Sequence, residues 1–138
     1  RFRCPYERSK PSKPLEIKKF LEAVGLCHTI ISDKKKTKEG ADYIVYNASS
    51  PDELALVNGA RHLGFAFESR DDDNNMVCQA WGEEKKYKLL NVIEFDSTRK
   101  RMSVIVRTQE NKIMMICKGA DSIIEKRLKK PCATIEKT

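Results

Sequence analysis

An aromatic side chain, a hydroxyl and cationic groups follow one another where a predicted strand ends. Phe95 precedes Ser97 and Lys100 in the run Phe-Asp-Ser-Thr-Arg-Lys-Arg. An aromatic ring can stack on a planar base, and lysine and arginine attract phosphate. Strand alternation, however, places Phe95 on the same face as Leu89 and Ile93, which favours a core aromatic. From the residues alone, the segment is either a platform for a base and phosphates or a charged turn beside a core side chain.

Two further charged residues lie at the ends of predicted elements. Lys118 ends a strand and is followed by Gly119-Ala120-Asp121, which opens a helix. Glycine lets a ligand approach and a helix N-terminus favours anions, so Lys118 can serve as a point charge for phosphate. The same segment also fits a plain strand-to-helix turn with Asp121 as the N-cap. Glu53 is the third helical residue after Ser50, where a capping box accounts for it, although an acid there can also accept a hydrogen bond from the amine of adenine.

The sequence offers no catalytic group and no metal site. Asp33-Lys34 and Thr37 stand among bulky lysines, which does not suit a phosphoryl-acceptor aspartate. The five cysteines are odd in number and irregularly spaced, and only two histidines accompany them. This pattern argues against a zinc site or a disulfide scaffold and favours a reducing compartment.

Hydrophobic periodicity predicts an α+β fold, with an antiparallel β-sheet of about six strands flanked by about three helices. Short polar turns between successive strands favour antiparallel pairing. The domain is expected over 15–130, between a basic Pro-containing arm (1–14) and a tail (131–138). The predicted helices are Leu15–Leu26, a helix from Pro51 ended by Gly64, and Asp121–Lys130; the predicted strands are Cys27–Ile31, Tyr43–Tyr46, one from Phe65, Met76–Trp81, Tyr87–Asp96, Met102–Thr108 and Ile113–Lys118, with a solvated loop over Asp33–Gly40.

Composition excludes several classes of protein. No run of about 18 apolar residues is present, so nothing in the sequence spans a bilayer, and the N-terminus lacks a secretory signal. The net charge is +7, with basic groups concentrated before residue 41 and after residue 98 around an acidic middle. A basic nucleic-acid-binding module centred on Arg99-Lys100-Arg101 is an alternative, but this distribution suits a compact polyanion site at least as well.

Taken together, these segments resemble the nucleotide-binding (N) domain of a P-type ATPase, and specifically the P4 subfamily of phospholipid-transporting flippases. The similarity covers roughly residues 15–128. The segments that carry it are Leu26-Cys27-His28-Thr29, Ser49-Ser50-Pro51-Asp52-Glu53-Leu54-Ala55-Leu56-Val57, Gly64-Phe65-Ala66-Phe67, Phe95-Asp96-Ser97-Thr98-Arg99-Lys100-Arg101-Met102-Ser103-Val104-Ile105-Val106 and Lys118-Gly119-Ala120-Asp121. Cation pumps share a looser form of this pattern and are a second alternative.

The resemblance implies one nucleotide pocket built from five residues. Phe95 matches the aromatic that stacks on adenine, and Lys118 matches a lysine deep in the same pocket. Ser97 and Lys100 match polar contacts to the nucleotide, and Glu53 matches the acid on the adenine side. The implied ligand is ATP, with Mg²⁺ carried on its phosphates and bound mainly by another domain.

The resemblance also implies the setting of the domain. The N domain is soluble, lies on the cytosolic face of a membrane, and delivers ATP to an aspartate in a separate phosphorylation domain. The implied partners are the phosphorylation, actuator and transmembrane domains of the same parent chain, together with an accessory subunit, and no nucleic acid. The family's phosphorylated Asp-Lys-Thr-Gly-Thr segment is absent from the sequence, so the chain by itself is expected to be inactive although the parent protein is an ATPase.

Overall fold

The computed structural model describes residues 13–129, and within them the chain forms three helices and seven strands. In chain order these are α1 (Lys13–Leu26), β1 (Ile31–Lys36), β2 (Asp42–Asn47), α2 (Pro51–His62), β3 (Phe65–Arg70), β4 (Asn75–Ala80), β5 (Glu83–Asp96), β6 (Arg101–Arg107), β7 (Ile113–Gly119) and α3 (Asp121–Glu125). Strands β3 to β7 form one antiparallel sheet in sequence order, and β1 and β2 pair separately. The predicted α+β class and antiparallel meander are confirmed. None of the described helices is long and apolar enough to cross a bilayer.

The hydrophobic core lies where α1 and α2 pack against the five-stranded sheet. Val57 of α2 is fully buried, and so are Phe65 of β3 and Val104 and Val106 of β6. Burying an apolar side chain of this size contributes about 1.5–3 kcal/mol. The core therefore fixes α2 on the sheet, and this contact sets the position of the N-terminus of α2.

The first helix buries only some of its apolar side chains. Leu21 is buried and Val24 is partly buried, but three other apolar residues of the helix are exposed: Leu15, Ile17 and Phe20. The helix is anchored at its C-terminal end, where a Cβ on Gly25 would come within 2.3 Å of the Phe65 ring. The C-terminal end of α1 therefore packs most tightly against the sheet, while Lys18 lies over the ring of Trp81 at the β4–β5 turn.

The segment between α1 and α2 departs from the prediction in two places. Cys27 to Ile30 is almost fully buried except at Thr29, but it is irregular rather than a strand. The predicted loop over Asp33–Gly40 is half strand, because β1 continues to Lys36 and pairs with β2. Charged side chains are compatible with this two-stranded ribbon because they are exposed. The turn itself is limited to Thr37–Gly40, where Gly40 adopts φ +86°.

The last helix begins at Asp121, as predicted, but it is shorter than predicted. It ends at Glu125 rather than Lys130, and the hydrogen bonds that follow span only three residues, as in turns. Its N-cap is Ala120 rather than Asp121, whose carboxylate accepts a hydrogen bond from the Ser122 amide at 2.6 Å. Apart from the start of α1, the predicted arm (1–14) and the tail (131–138) lie outside the described residues.

Candidate functional site

A cleft of about 620 Å³ opens where the N-terminus of α2 meets the ends of β5 and β7. This volume falls in the usual range of small-molecule pockets. Three of the five predicted site residues line it, namely Glu53, Phe95 and Lys118. Each comes from a different element, so the cleft exists only in the folded chain.

Phe95 reaches the cleft because β5 carries two β-bulges. The first lies between Leu89 and Asn91 and takes Ile93 off the core face of Leu89, and the second lies just before Asp96. Ile93 pairs with Ser103 and Asp96 pairs with Arg101, so two residues of β5, Glu94 and Phe95, stand opposite the single residue Met102 of β6. All three of these residues line the cleft. A bulge shifts the alternation of a strand and re-aims its side chains. The prediction from strand alternation that Phe95 lies in the core is therefore wrong, and the residue is 63% exposed.

Glu53 is buried to 7% exposure at the cleft wall, and its carboxylate is held by two side chains. Thr29 Oγ1 donates to Glu53 Oε2 at 3.0 Å, and Lys118 Nζ lies 3.2 Å from Glu53 Oε1. The capping box is only half formed, because the Glu53 amide donates to Ser50 Oγ at 3.5 Å while the carboxylate turns to Thr29 and Lys118. The Glu53 carboxylate thus contacts residues of the cleft rather than the N-terminal amides of its own helix.

The ammonium group of Lys118, the penultimate residue of β7, faces the cleft. Only about a quarter of its side-chain surface is exposed, which strengthens its pairing with Glu53 relative to an ion pair in water. The next residue, Gly119, allows a close backbone approach, since a Cβ there would lie 2.5 Å from the carbonyl oxygen of Lys100. The Ala120 amide donates to this same carbonyl at 3.1 Å. The end of β7 is therefore joined directly to the turn between β5 and β6.

Ser97 and Lys100 lie on that turn, are exposed, and are not among the residues that line the cleft. The carboxylate of Asp96 organises the turn by accepting hydrogen bonds from the Thr98 and Arg99 amides at 2.8 and 2.9 Å. Lys100 adopts φ +51°, which closes the turn. Both residues therefore follow Phe95 closely along the chain but lie outside the cleft wall.

Sequence reasoning missed several residues of the cleft. Thr29 forms part of the wall and hydrogen-bonds Glu53, although only its place in the Leu26–Thr29 segment drew attention to it. Asp52 and Glu94 add carboxylates to the lining, and Met102 adds an apolar surface beside Phe95. Only the bulges in β5 and the packing of α2 on the sheet bring these side chains together. No local sequence pattern could therefore have identified them.

The buried segment behind the cleft is held in a neutral state. His28 is fully buried, with Nε2 3.0 Å from the Gly25 carbonyl oxygen and Nδ1 accepting from the Ile30 amide at 3.1 Å. Burial lowers the pKa of the His28 imidazole from 6.5 to about 4, and burial raises the pKa of the neighbouring Cys27 thiol to about 11. These two side chains are structural. Within residues 13–129, no group of three or more His, Cys, Asp or Glu side chains is arranged to hold a metal ion.

The sequence model of the family described as P-type ATPase, cytoplasmic domain N, matches residues 16–137. The phospholipid-transporting ATPase dnf2 of Schizosaccharomyces pombe is 50% identical over 109 residues, which is 79% of this chain and 7% of that protein. The mouse phospholipid-transporting ATPase FetA is 44% identical over 129 residues, which is 94% of this chain and 10% of that protein.

A human relative gives the same result. The phospholipid-transporting ATPase IC is 40% identical over 132 residues, which is 96% of this chain and 10% of that protein. The chain therefore spans a tenth or less of the length of these relatives.

Proposed function

The chain belongs to the P-type ATPase cytoplasmic domain N family, in the branch of the phospholipid-transporting P4 enzymes, and we propose that its cleft binds ATP. The observation that carries this proposal is the exposed ring of Phe95 in the same cleft as the buried Glu53–Lys118 pair. An exposed aromatic face is a stacking surface for a base, and an acid and an ammonium group supply an acceptor and donors. The volume and the chemistry of the cleft both suit a nucleotide.

Each residue of the cleft takes a separate part in binding. The ring of Phe95 stacks on adenine, and the carboxylate of Glu53 accepts a hydrogen bond from the exocyclic amine of the base. Lys118 has three N–H donors, of which its contact with Glu53 uses one. The remaining donors meet the nucleotide from inside the cleft.

Ser97 and Lys100 complete the proposed site from its rim. Both are exposed on the turn that follows Phe95, and the long side chain of Lys100 is flexible. We assign to them polar contacts with the ribose and phosphates, which leave the cleft on that side. The positive charge of Lys100 offsets the carboxylates that line the cleft wall.

We propose that the parent protein uses this domain to present ATP with Mg²⁺ to a phosphorylatable aspartate in another domain. Magnesium arrives on the ATP phosphates and is bound mainly by that other domain. The resulting cycle moves a phospholipid through a transmembrane domain, with the N domain on the cytosolic face. The partners are the phosphorylation, actuator and transmembrane domains and an accessory subunit, and the present chain alone does not hydrolyse ATP.

The test is a titration of the 138-residue chain with ATP, in which binding is measured by calorimetry and by the shifts of amide NMR signals. Phe95→Ala is compared with Phe20→Ala, a matched removal of an exposed phenylalanine on α1, outside the cleft lining. Stacking of one base on an aromatic side chain contributes about 1–3 kcal/mol, so Phe95→Ala is expected to weaken binding from about fivefold to more than a hundredfold. Phe20→Ala is expected to bind like the original chain.

Two results would contradict the proposal. One is a saturating excess of ATP that leaves the Phe95 and Lys118 signals unmoved in a folded chain. The other is equal ATP affinity in the Phe95→Ala and Phe20→Ala variants. Strongly salt-dependent binding to oligonucleotides without any preference for mononucleotides would favour the nucleic-acid alternative instead. A cation-transporting parent would share the pocket, so a transport assay on the parent protein separates that alternative.

A further inference from the structure

The hydroxyl group of Thr29 makes a contact that local sequence patterns do not predict. Thr29 lies in the irregular segment between α1 and β1, and its Oγ1 donates to Glu53 Oε2 at 3.0 Å. The other carboxylate oxygen, Oε1, pairs with Lys118 Nζ at 3.2 Å. Each oxygen of Glu53 is therefore held by one donor, and the two donors come from different parts of the chain.

Glu53 has a second arrangement available to it. As the third residue of α2, it can return its carboxylate to the Ser50 amide and complete the capping box. One half of the box is already present, because the Glu53 amide donates to Ser50 Oγ. A carboxylate that accepts from the Ser50 amide leaves its present position between Thr29 and Lys118. The Glu53 carboxylate therefore has two possible sets of partners, namely the Ser50 amide of its own helix, or Thr29 and Lys118 in the cleft.

The segment that carries Thr29 is held rigidly by its neighbours, so that the Thr29 hydroxyl favours the position of Glu53 in the cleft. Its neighbours His28 and Ile30 are almost fully buried. The His28 ring contacts the Gly25 carbonyl through one nitrogen and the Ile30 amide through the other. A hydrogen bond from a well-positioned hydroxyl to a carboxylate is stronger than one between neutral groups. The hydroxyl is thus fixed in place before any ligand enters.

We propose that Thr29 is a positioning residue that holds the Glu53 carboxylate in the cleft and thereby sets a preference for adenine over guanine. The inference rests on the proposed function, in which Glu53 accepts a hydrogen bond from the adenine amine. Guanine carries a carbonyl oxygen at the same ring position, so a carboxylate fixed there repels it. A site built to hydrogen-bond one group discriminates against an analogue that cannot make the bond. The discrimination depends on the carboxylate staying where Thr29 holds it.

The experiment compares Thr29→Val, which replaces the hydroxyl with a methyl group of similar size, with Thr29→Ser, which keeps the hydroxyl. ATP and GTP affinities are measured for each variant of the 138-residue chain. Thr29→Val is expected to weaken ATP binding about threefold to tenfold, as for the loss of one hydrogen bond to a charged group. It is expected to strengthen GTP binding, because the carboxylate no longer faces the guanine carbonyl. Thr29→Ser is expected to retain the original ATP-to-GTP ratio.

A second readout does not depend on nucleotide binding. If Thr29→Val releases Glu53 to its helix cap, the Ser50 amide gains a hydrogen bond, and its proton signal moves downfield in the absence of ligand. In a Glu53→Ala background, Thr29→Val is expected to have no further effect on ATP binding, because it acts through Glu53. If Thr29→Val does not fold, the smaller Thr29→Ala variant carries the same expectations.

Several results would overturn the inference. These are an unchanged ATP-to-GTP ratio in Thr29→Val, equal losses in Thr29→Val and Thr29→Ser, or an undiminished effect in the Glu53→Ala background. An unmoved Ser50 amide in Thr29→Val would also overturn it, even in a chain that binds no ATP. Failure of the original chain to bind ATP, together with a shifted Ser50 amide, would refute the proposed function and the base preference but leave the positioning of Glu53 by Thr29 intact.

Discussion

The buried imidazole of His28 predicts a specific loss of stability in mild acid. Burial lowers its pKa from 6.5 to about 4; the nearby Glu53 carboxylate opposes this shift, and the charges of Lys118 and Arg70 add to it. His28 is therefore neutral in the folded chain, whereas in the unfolded chain it takes up a proton as the pH falls below 6.5. The contribution of this group is fully present above pH 6.5 and is lost progressively between pH 6.5 and pH 4.

The size of the effect follows from the difference between the two pKa values. At pH 5 the unfolded chain is almost fully protonated at His28 and the folded chain is almost fully neutral. Proton linkage then lowers the free energy of unfolding by about 2 kcal/mol relative to pH 7.5. This is a large part of the 5–15 kcal/mol that stabilises a typical domain.

Urea denaturation at pH 7.5 and at pH 5 measures this loss. His28→Gln removes the titrating group and is expected to flatten most of the pH dependence, at some cost in stability at both values. His62→Gln is the matched control, because His62 is exposed on α2 and should leave the pH dependence unchanged. Equal stability of the original chain at the two pH values would refute the reasoning. So would a pH dependence that survives in His28→Gln.

Two further predictions concern packing, and both are measured by urea denaturation. Gly119→Ala places a Cβ against the backbone of the turn between β5 and β6 and is expected to cost about 1–3 kcal/mol of stability. Gly59→Ala lies in an open part of α2 and is expected to stabilise the chain by about 0.5–1 kcal/mol. The reverse order of stabilities would contradict the close backbone approach at Gly119. Leu21→Ala is expected to cost about 2–5 kcal/mol and Phe20→Ala less than about 0.5 kcal/mol, because only Leu21 is buried, and similar losses at both positions would show that the whole apolar face of α1 is packed.

The elements that sequence reasoning predicted well are those whose signals are local. The Ser50-Pro51 start of α2 is confirmed, because the cap and the proline act on the backbone next to them. The strands of the meander followed from alternation and short polar turns. The limits of β1 did not, because Asp33 to Lys36 become a strand only by pairing with β2, and no property of the lysines themselves favours this.

The candidate site was predictable only in part, for a related reason. At both Glu53 and Phe95 a local rule gives a complete structural explanation, as a helix cap and as a core aromatic. The fold overrides both rules. Thr29 and Lys118 hold the carboxylate away from the cap, and the two bulges in β5 turn Phe95 out of the core.

Most residues of a natural sequence satisfy local and tertiary demands together, so positions where the two disagree are candidates for function. Here both residues line the same cleft, and Lys118 lines it as well. Glu53 pairs with Thr29 and Lys118 instead of completing its capping box, and Phe95 is exposed instead of packing in the core. Their meeting in one cleft supports the proposed nucleotide site, and this support does not depend on resemblance to any relative.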